Sequence, residues 1–209
     1  MSFALPRLYA IIDAAQTGNR STAAVSDALL AAGVKLIQYR DKQASSRVLY
    51  ENSFELAARA RQANAVLIVN DRADVARVVQ ADGVHVGQDD LSVELVRRVL
   101  GAGKRIGCST HHPDQVRDAE RSSADYIAFG PIFETQSKQQ PDPVVGLEGL
   151  RDARRLTRKP LVAIGGITLE NARAVMEAGA DSVAVISDLL TPDDIESRAR
   201  DFLKLLGGL

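Results

Sequence analysis

Tryptophan is absent, cysteine occurs once and histidine three times in these 209 residues. The lone Cys108 rules out an intramolecular disulfide framework and fits a reducing cytoplasm, where we expect the chain to reside. With so few soft ligands there is little from which to build a zinc site. His111 and His112 are adjacent, which is not the spacing of a zinc pair, and His85 alternates within a run that reads as a strand interior. No Gly-x-Ser-x-Gly elbow surrounds Ser109, which argues against a serine hydrolase. An excess of one charge is missing too: the formal net charge is −1, so nothing global attracts nucleic acid or an anionic membrane. No apolar run approaches the length of a membrane span. The opening MSFALPRLYAIID has too short an apolar stretch and no basic leader, so no signal peptide is expected.

What is present is a regular alternation. Short β-branched runs are separated by amphipathic helical stretches from end to end. The spacing predicts strands over Leu8–Ile12, Val34–Tyr39, Ala65–Val69, Gly83–Val86, Arg105–Cys108, Tyr126–Phe129, Leu161–Ile164 and Ser182–Ile186. Helical faces form where Val25, Ala28, Leu29 and Ala32 align, where Ala172, Val175, Met176 and Gly179 align, and where Ile195, Ala199, Phe202, Leu203 and Leu206 align. Gly33 and Gly179 stand where helices should stop. Ala81-Asp82-Gly83-Val84, Ala124-Asp125-Tyr126-Ile127 and Ala180-Asp181-Ser182-Val183 form a weak repeat, each opening a strand. Eight β–α units of about 26 residues suit a single (β/α)₈ TIM barrel spanning residues 1–209. A doubly wound open sheet would want a glycine fingerprint after the first strand, and Asp13-Ala14-Ala15-Gln16 is not one. Gly101-Ala102-Gly103-Lys104 lies between a helix and a strand, so it reads as a turn rather than a phosphate loop.

Polar clusters close three successive apolar runs. Gln38, Arg40 and Lys42 end the second strand, Asn70 and Asp71 end the third, and Asp89 and Asp90 end the fourth. Side chains alternate along a strand, so Val34, Leu36, Gln38, Arg40 and Lys42 are expected on one face, apolar below and charged above. In a barrel the C-terminal strand ends gather on one rim, where such residues can meet. Two cations, an amide and several carboxylates suit an anionic leaving group held with a divalent metal. Asp71 and Asp90 could share Mg²⁺ with phosphate oxygens and water; Asp89 reads as a helix N-terminal charge. Gly165-Gly166-Ile167 and Ile186-Ser187 end strands seven and eight, where barrels often bind a phosphate through backbone N–H groups. The irregular stretch Gly130 to Gly146, with Pro131, Pro141 and Pro143, is long enough to be functional.

Taken in order, Gln38-x-Arg40-x-Lys42, Val69-Asn70-Asp71-Arg72, His85-x-Gly87-Gln88-Asp89-Asp90, Gly107-x-Ser109-x-His111, Phe129-Gly130-Pro131-Ile132-Phe133, Ile164-Gly165-Gly166-Ile167 and Ile186-Ser187 closely resemble the signature segments of the thiamine phosphate synthase family. That resemblance implies a transferase joining 4-amino-2-methyl-5-hydroxymethylpyrimidine diphosphate to a thiazole phosphate, with release of diphosphate by a dissociative route. It implies that Gln38 and Ser109 contact the pyrimidine and that Arg40, Lys42, Asn70 and Lys138 hold its diphosphate. It implies Mg²⁺ on Asp71 and Asp90, and thiazole phosphate on Thr135, Ser137, Gly166, Ile186 and Ser187. The partners implied are these two small molecules, with no nucleic acid and no membrane. The family's Phe-Pro-Thr-x-Thr-Lys segment is Phe133-Glu134-Thr135-Gln136-Ser137-Lys138 here. That departure resembles the related thiazole tautomerase, which would use His111 as acid and base. A non-catalytic barrel that binds a phosphorylated ligand is the other alternative. The sequence carries no signal for oligomeric state.

Overall fold

The computed structural model describes residues 5–135 and 142–207 and forms a closed barrel of eight parallel strands, each hydrogen-bonded to the next in sequence and the eighth to the first. The strands are β1 (Leu8–Asp13), β2 (Leu36–Arg40), β3 (Val66–Asn70), β4 (Gly83–Val86), β5 (Arg105–Thr110), β6 (Tyr126–Phe129), β7 (Leu161–Ile164) and β8 (Ser182–Val185). The helices are α1 (Thr22–Ala32), α2 (Ser46–Gln62), α3 (Ala73–Val78), α4 (Val93–Leu100), α5 (Pro113–Arg121), α6 (Gly146–Leu156), α7 (Ala172–Glu177), α8 (Ser187–Leu190) and α9 (Ile195–Gly207). This is the expected (β/α)₈ fold, with α8 a short extra helix between β8 and the last packing helix. No helix of the described residues is long and apolar enough to cross a membrane.

Strand alternation sorts the apolar side chains into two cores. Residues such as Ile12, Tyr39, Val69, Val86, Ile127, Phe129 and Val183 face outward and pack under the helices. Tyr9, Ile11, Leu36, Ile68, Tyr126, Ala128, Val162 and Ala184 fill the barrel interior. Cys108 belongs to the outer layer, and burial pushes its thiol up to about 11. It is a buried packing residue.

Two strands begin later than the sequence pattern predicts. Gly33, at φ 101°, ends α1 in a left-handed cap in which its N–H bonds Leu30 O and the Val34 N–H bonds Leu29 O at 3.1 Å. Val34 is consumed by this cap and packs outward, so it does not share the inward face of Leu36, Gln38 and Arg40. Asn64, at φ 51°, does the same for α2, where the Ala65 N–H bonds Ala60 O at 2.8 Å. Hydrophobic pattern alone cannot separate a cap residue from the first residue of the strand behind it.

The weak Ala-Asp repeat has a structural cause. Carboxylate oxygens of Asp82, Asp125 and Asp181 accept from the backbone N–H of Leu67, Ile106 and Leu161 at 2.9, 2.7 and 2.8 Å. Each aspartate therefore satisfies a donor in the first two residues of the preceding strand, at the closed end of the barrel. Arg97 and Arg154 then pair with Asp125 and Asp181 at 2.6 and 2.7 Å. The repeat serves stability at the end away from the strand C-termini.

Candidate active site at the barrel mouth

β2 delivers Gln38 and Arg40 into the barrel, and the turn after it carries Lys42. Arg40 stands opposite Asp13 in the β1–β2 register, and its Nη1 donates to Asp13 Oδ2 at 2.5 Å. Asp13 is only 2% exposed and also accepts from Ala15 N–H at 3.1 Å. The guanidinium is thus held from below by a buried carboxylate. Asp13 is absent from the sequence-predicted site, yet it carries a signal: Tyr9, Ile11 and Asp13 alternate on the inward face of β1 and end in a charge, as β2 does.

Lys42 Nζ donates to Asp71 Oδ2 across the gap from β2 to β3. Asp71 has φ 61°, a left-handed conformation that costs free energy in a non-glycine residue. Its N–H is anchored on His85 O at 2.7 Å. Burial holds the Asp71 carboxyl above the usual carboxylate range; the Lys42 ammonium pulls it down and the adjoining Asp90 carboxyl pushes it up. Asp90 is braced in turn, its Oδ2 accepting from Gly87 N–H at 2.8 Å. The structure therefore brings Lys42, Asp71 and Asp90 together as a contiguous set beside Arg40 and Asn70. Two hard carboxylates that crowd each other suit a divalent cation such as Mg²⁺. Among the described residues no cluster of three or more His, Cys, Asp or Glu could hold a metal. Asp89 does not start a helix: it is exposed in a turn, and α4 is capped by Ser92, whose hydroxyl accepts from Leu95 N–H at 3.4 Å.

Inside the barrel, below this charged ring, Gln38 Nε2 donates to Tyr9 OH at 2.7 Å, and Tyr9 and Tyr126 share a hydrogen bond of 2.9 Å. His85 Nδ1 lies 3.1 Å from Tyr126 OH, and its Nε2 lies 2.9 Å from Ser109 Oγ. Ser109 is partly exposed toward the mouth. His85 is thus a satisfied interior residue, as its alternation within β4 predicts. The sequence pattern places both tyrosines on strands and carries no sign that they meet.

The opposite side of the mouth is formed by the loops after β6, β7 and β8. After the Gly130–Pro131 bond, which is cis, Ile132 N–H bonds Ile164 O at 2.9 Å and Phe133 N–H bonds Gly165 O at 3.0 Å. This close approach explains the glycine pair: Gly166 has φ 62°, and a Cβ there would lie 2.4 Å from Glu134 O. The Glu134 carbonyl thus lies against Gly166 while Glu134 itself is exposed, and Thr135 follows it, half-buried. Ser137 and Lys138 lie outside the described residues. Ile186 leaves the extended region and opens α8, and the Ser187 hydroxyl donates to Gln16 Oε1 at 2.7 Å. Asp188 accepts from Leu169 N–H at 2.9 Å and pairs with Arg198 at 2.7 Å, tying the β7 and β8 loops to each other. His111 is tethered to the β6 loop, with Nδ1 2.6 Å from Gly130 O and Nε2 3.4 Å from Asp142.

Residues 8–189 match the family model described as thiamine monophosphate synthase. The thiamine-phosphate synthase of Koribacter versatilis is 53% identical over 206 residues, covering 97% of this chain and 96% of that protein. The thiamine-phosphate synthase of Chloroflexus aurantiacus is 46% identical over 200 residues, covering 96% and 92%. Among solved structures, thiamine phosphate pyrophosphorylase from Pyrococcus furiosus superposes with a TM-score of 0.88 at 34% identity, covering 97% of this chain and 96% of that one.

Proposed function

This chain belongs to the thiamine monophosphate synthase family, a transferase of thiamine biosynthesis, and we propose that its barrel mouth joins 4-amino-2-methyl-5-hydroxymethylpyrimidine diphosphate to a thiazole phosphate with release of diphosphate. The observation that carries the reading is the contact of Lys42 with Asp71 and of Asp71 with Asp90, beside Arg40 on the same rim.

The division of labour follows from charge. Gln38 and Ser109 orient the pyrimidine, and Arg40, Lys42, Asn70 and Lys138 grip the diphosphate. Asp71 and Asp90 would hold Mg²⁺, which when bound neutralises charge on the leaving diphosphate. Thr135, Ser137, Gly166, Ile186 and Ser187 take the thiazole phosphate on the far side of the mouth. The bond from the pyrimidine methylene carbon to the diphosphate oxygen breaks first, and that oxygen keeps the electron pair. The resulting cation is delocalised into the aminopyrimidine, and the thiazole nitrogen then supplies the electrons for the new carbon–nitrogen bond. No protein base is required, so the residues work by charge stabilisation and positioning. Hydrogen bonds to charged groups are worth roughly 1.5–3 kcal/mol each, so four that tighten in the transition state supply roughly 6–12 kcal/mol, or about 10⁴–10⁹ in rate.

The thiazole tautomerase and the non-catalytic barrel gain less support. The relatives above are synthases, and the tautomerase has no need of the complete diphosphate and metal set. Purified protein given both substrates and Mg²⁺ should form thiamine phosphate, lose that activity to a chelator, and lose it by at least about a thousandfold in Asp71→Asn. Isomerisation of a thiazole that survives Asp71→Asn but is abolished in His111→Ala would overturn the synthase reading.

A further inference from the structure

The buried chain from Gln38 to Ser109 crosses the barrel and has a direction. Gln38 Nε2 donates to the Tyr9 hydroxyl. Either phenol of this pair could donate, and the direction that leaves no buried proton without an acceptor has Tyr9 donating to Tyr126. Tyr126 then donates to His85 Nδ1. A neutral imidazole with Nδ1 accepting carries its proton on Nε2, which donates to Ser109 Oγ. The Ser109 hydroxyl proton is thereby turned away from His85 and toward the mouth, while Gln38 keeps its carbonyl oxygen free to accept. We infer that Tyr9, Tyr126 and His85 are positioning residues that lock the two pyrimidine-facing side chains into opposite roles, Gln38 accepting and Ser109 donating.

A 4-aminopyrimidine offers the matching pattern, an exocyclic amine that donates and ring nitrogens that accept. A 4-oxo analogue presents an acceptor where the amine was and a protonated ring nitrogen beside it. Reversing the chain to suit that analogue requires every member to turn over together, including the Gln38 amide and the His85 tautomer. The relay therefore makes recognition of the amine a collective property of five residues.

Several features suit this role. Both phenols are fully buried, and that burial pushes them far above their ordinary range, so each keeps its single proton. Tyr126 packs edge-on to Tyr9 and stacks on His85, with ring centroids 5.9 and 5.6 Å apart, which fixes their hydroxyl and ring-nitrogen directions. The space for Tyr126 is built by Gly107, where a Cβ would lie 2.0 Å from the tyrosine Cζ. Low local dielectric strengthens each bond in such a chain and penalises any broken link.

The inference rests on the reading that Gln38 and Ser109 bind the pyrimidine, and its test separates the two. Tyr126→Phe and Tyr9→Phe remove a hydroxyl without changing the ring, and wild-type protein is measured beside them with the 4-amino and 4-oxo pyrimidine diphosphates. We expect kcat/KM for the amino substrate to fall about tenfold or more, the amino-over-oxo preference to fall by a similar factor, and KM for thiazole phosphate to stay put. Nitrogen-15 NMR of His85 should report the Nε2–H tautomer in wild-type protein and a tautomer mixture in Tyr126→Phe. A variant that loses thermal stability but keeps the wild-type preference would overturn the inference, as would an Nδ1–H tautomer in the wild type. Absence of thiamine phosphate formation by the wild type would instead sink the proposed function and leave the tautomer measurement standing.

Discussion

Replacing Asp13 by asparagine should disarm Arg40 without emptying the site. The Asp13 carboxylate is 2% exposed and the Arg40 side chain 20% exposed, with 2.5 Å between them. Two unit charges about 4 Å apart at an effective dielectric of 20 interact by about 4 kcal/mol. Breaking a fully buried pair from one side costs about 3–5 kcal/mol, and solvent access to Arg40 lowers the expectation to about 2–3 kcal/mol for Asp13→Ala. Asp13→Asn keeps an acceptor for Ala15 N–H and should cost about 1–2 kcal/mol. The catalytic effect is separate. An unanchored guanidinium samples several rotamers, and the loss of one oriented charged hydrogen bond, roughly 1.5–3 kcal/mol, lowers kcat/KM for the pyrimidine diphosphate by about 10- to 150-fold. Steady-state rates at saturating thiazole phosphate, with thermal melting alongside, measure both. Asp13 also neutralises part of the positive charge that Arg40 offers a ligand. If that attenuation dominated, Asp13→Asn would raise kcat/KM, and the positioning argument would be refuted.

Gly107→Ala should displace the Tyr126 ring, since the new methyl would lie 2.0 Å from its Cζ, costing about 1–3 kcal/mol in a melting experiment and reducing pyrimidine turnover. Asp125→Ala removes the acceptor for Ile106 N–H and the partner of Arg97 at the closed end, so it should lower stability by about 1–3 kcal/mol while leaving both KM values unchanged. Cys108 supplies a pH test. Burial raises its folded pKa to about 11, above the 9.0 of an exposed thiol, so the unfolded chain loses the proton first. Its stabilisation is complete below pH 9, is lost as pH rises toward 11, and amounts to about 2–3 kcal/mol. Cys108→Ala should therefore flatten the alkaline decline of stability between those values, leaving the later decline from buried tyrosines, with Tyr39 raised to about 12; an unchanged decline would contradict the assignment.

The sequence by itself determined the strands, their inward and outward faces, and the polar ends of β2, β3 and β4. These signals are local: a period of two, and a change from apolar to charged along one face. They missed where β2 and β3 begin, because Val34 and Ala65 look like strand residues yet complete helix caps. They also missed that the Ala-Asp repeat caps neighbouring strands, since a carboxylate's partner lies on a strand 15 to 20 residues earlier. Only the tertiary structure decided that Asp13 braces Arg40, that Lys42 and Asp90 both adjoin Asp71, and that Tyr9 meets Tyr126 from 117 residues away. The physical reason is register. A side chain's own strand sets the face it occupies, but its partner is chosen by how neighbouring strands are staggered when the barrel closes.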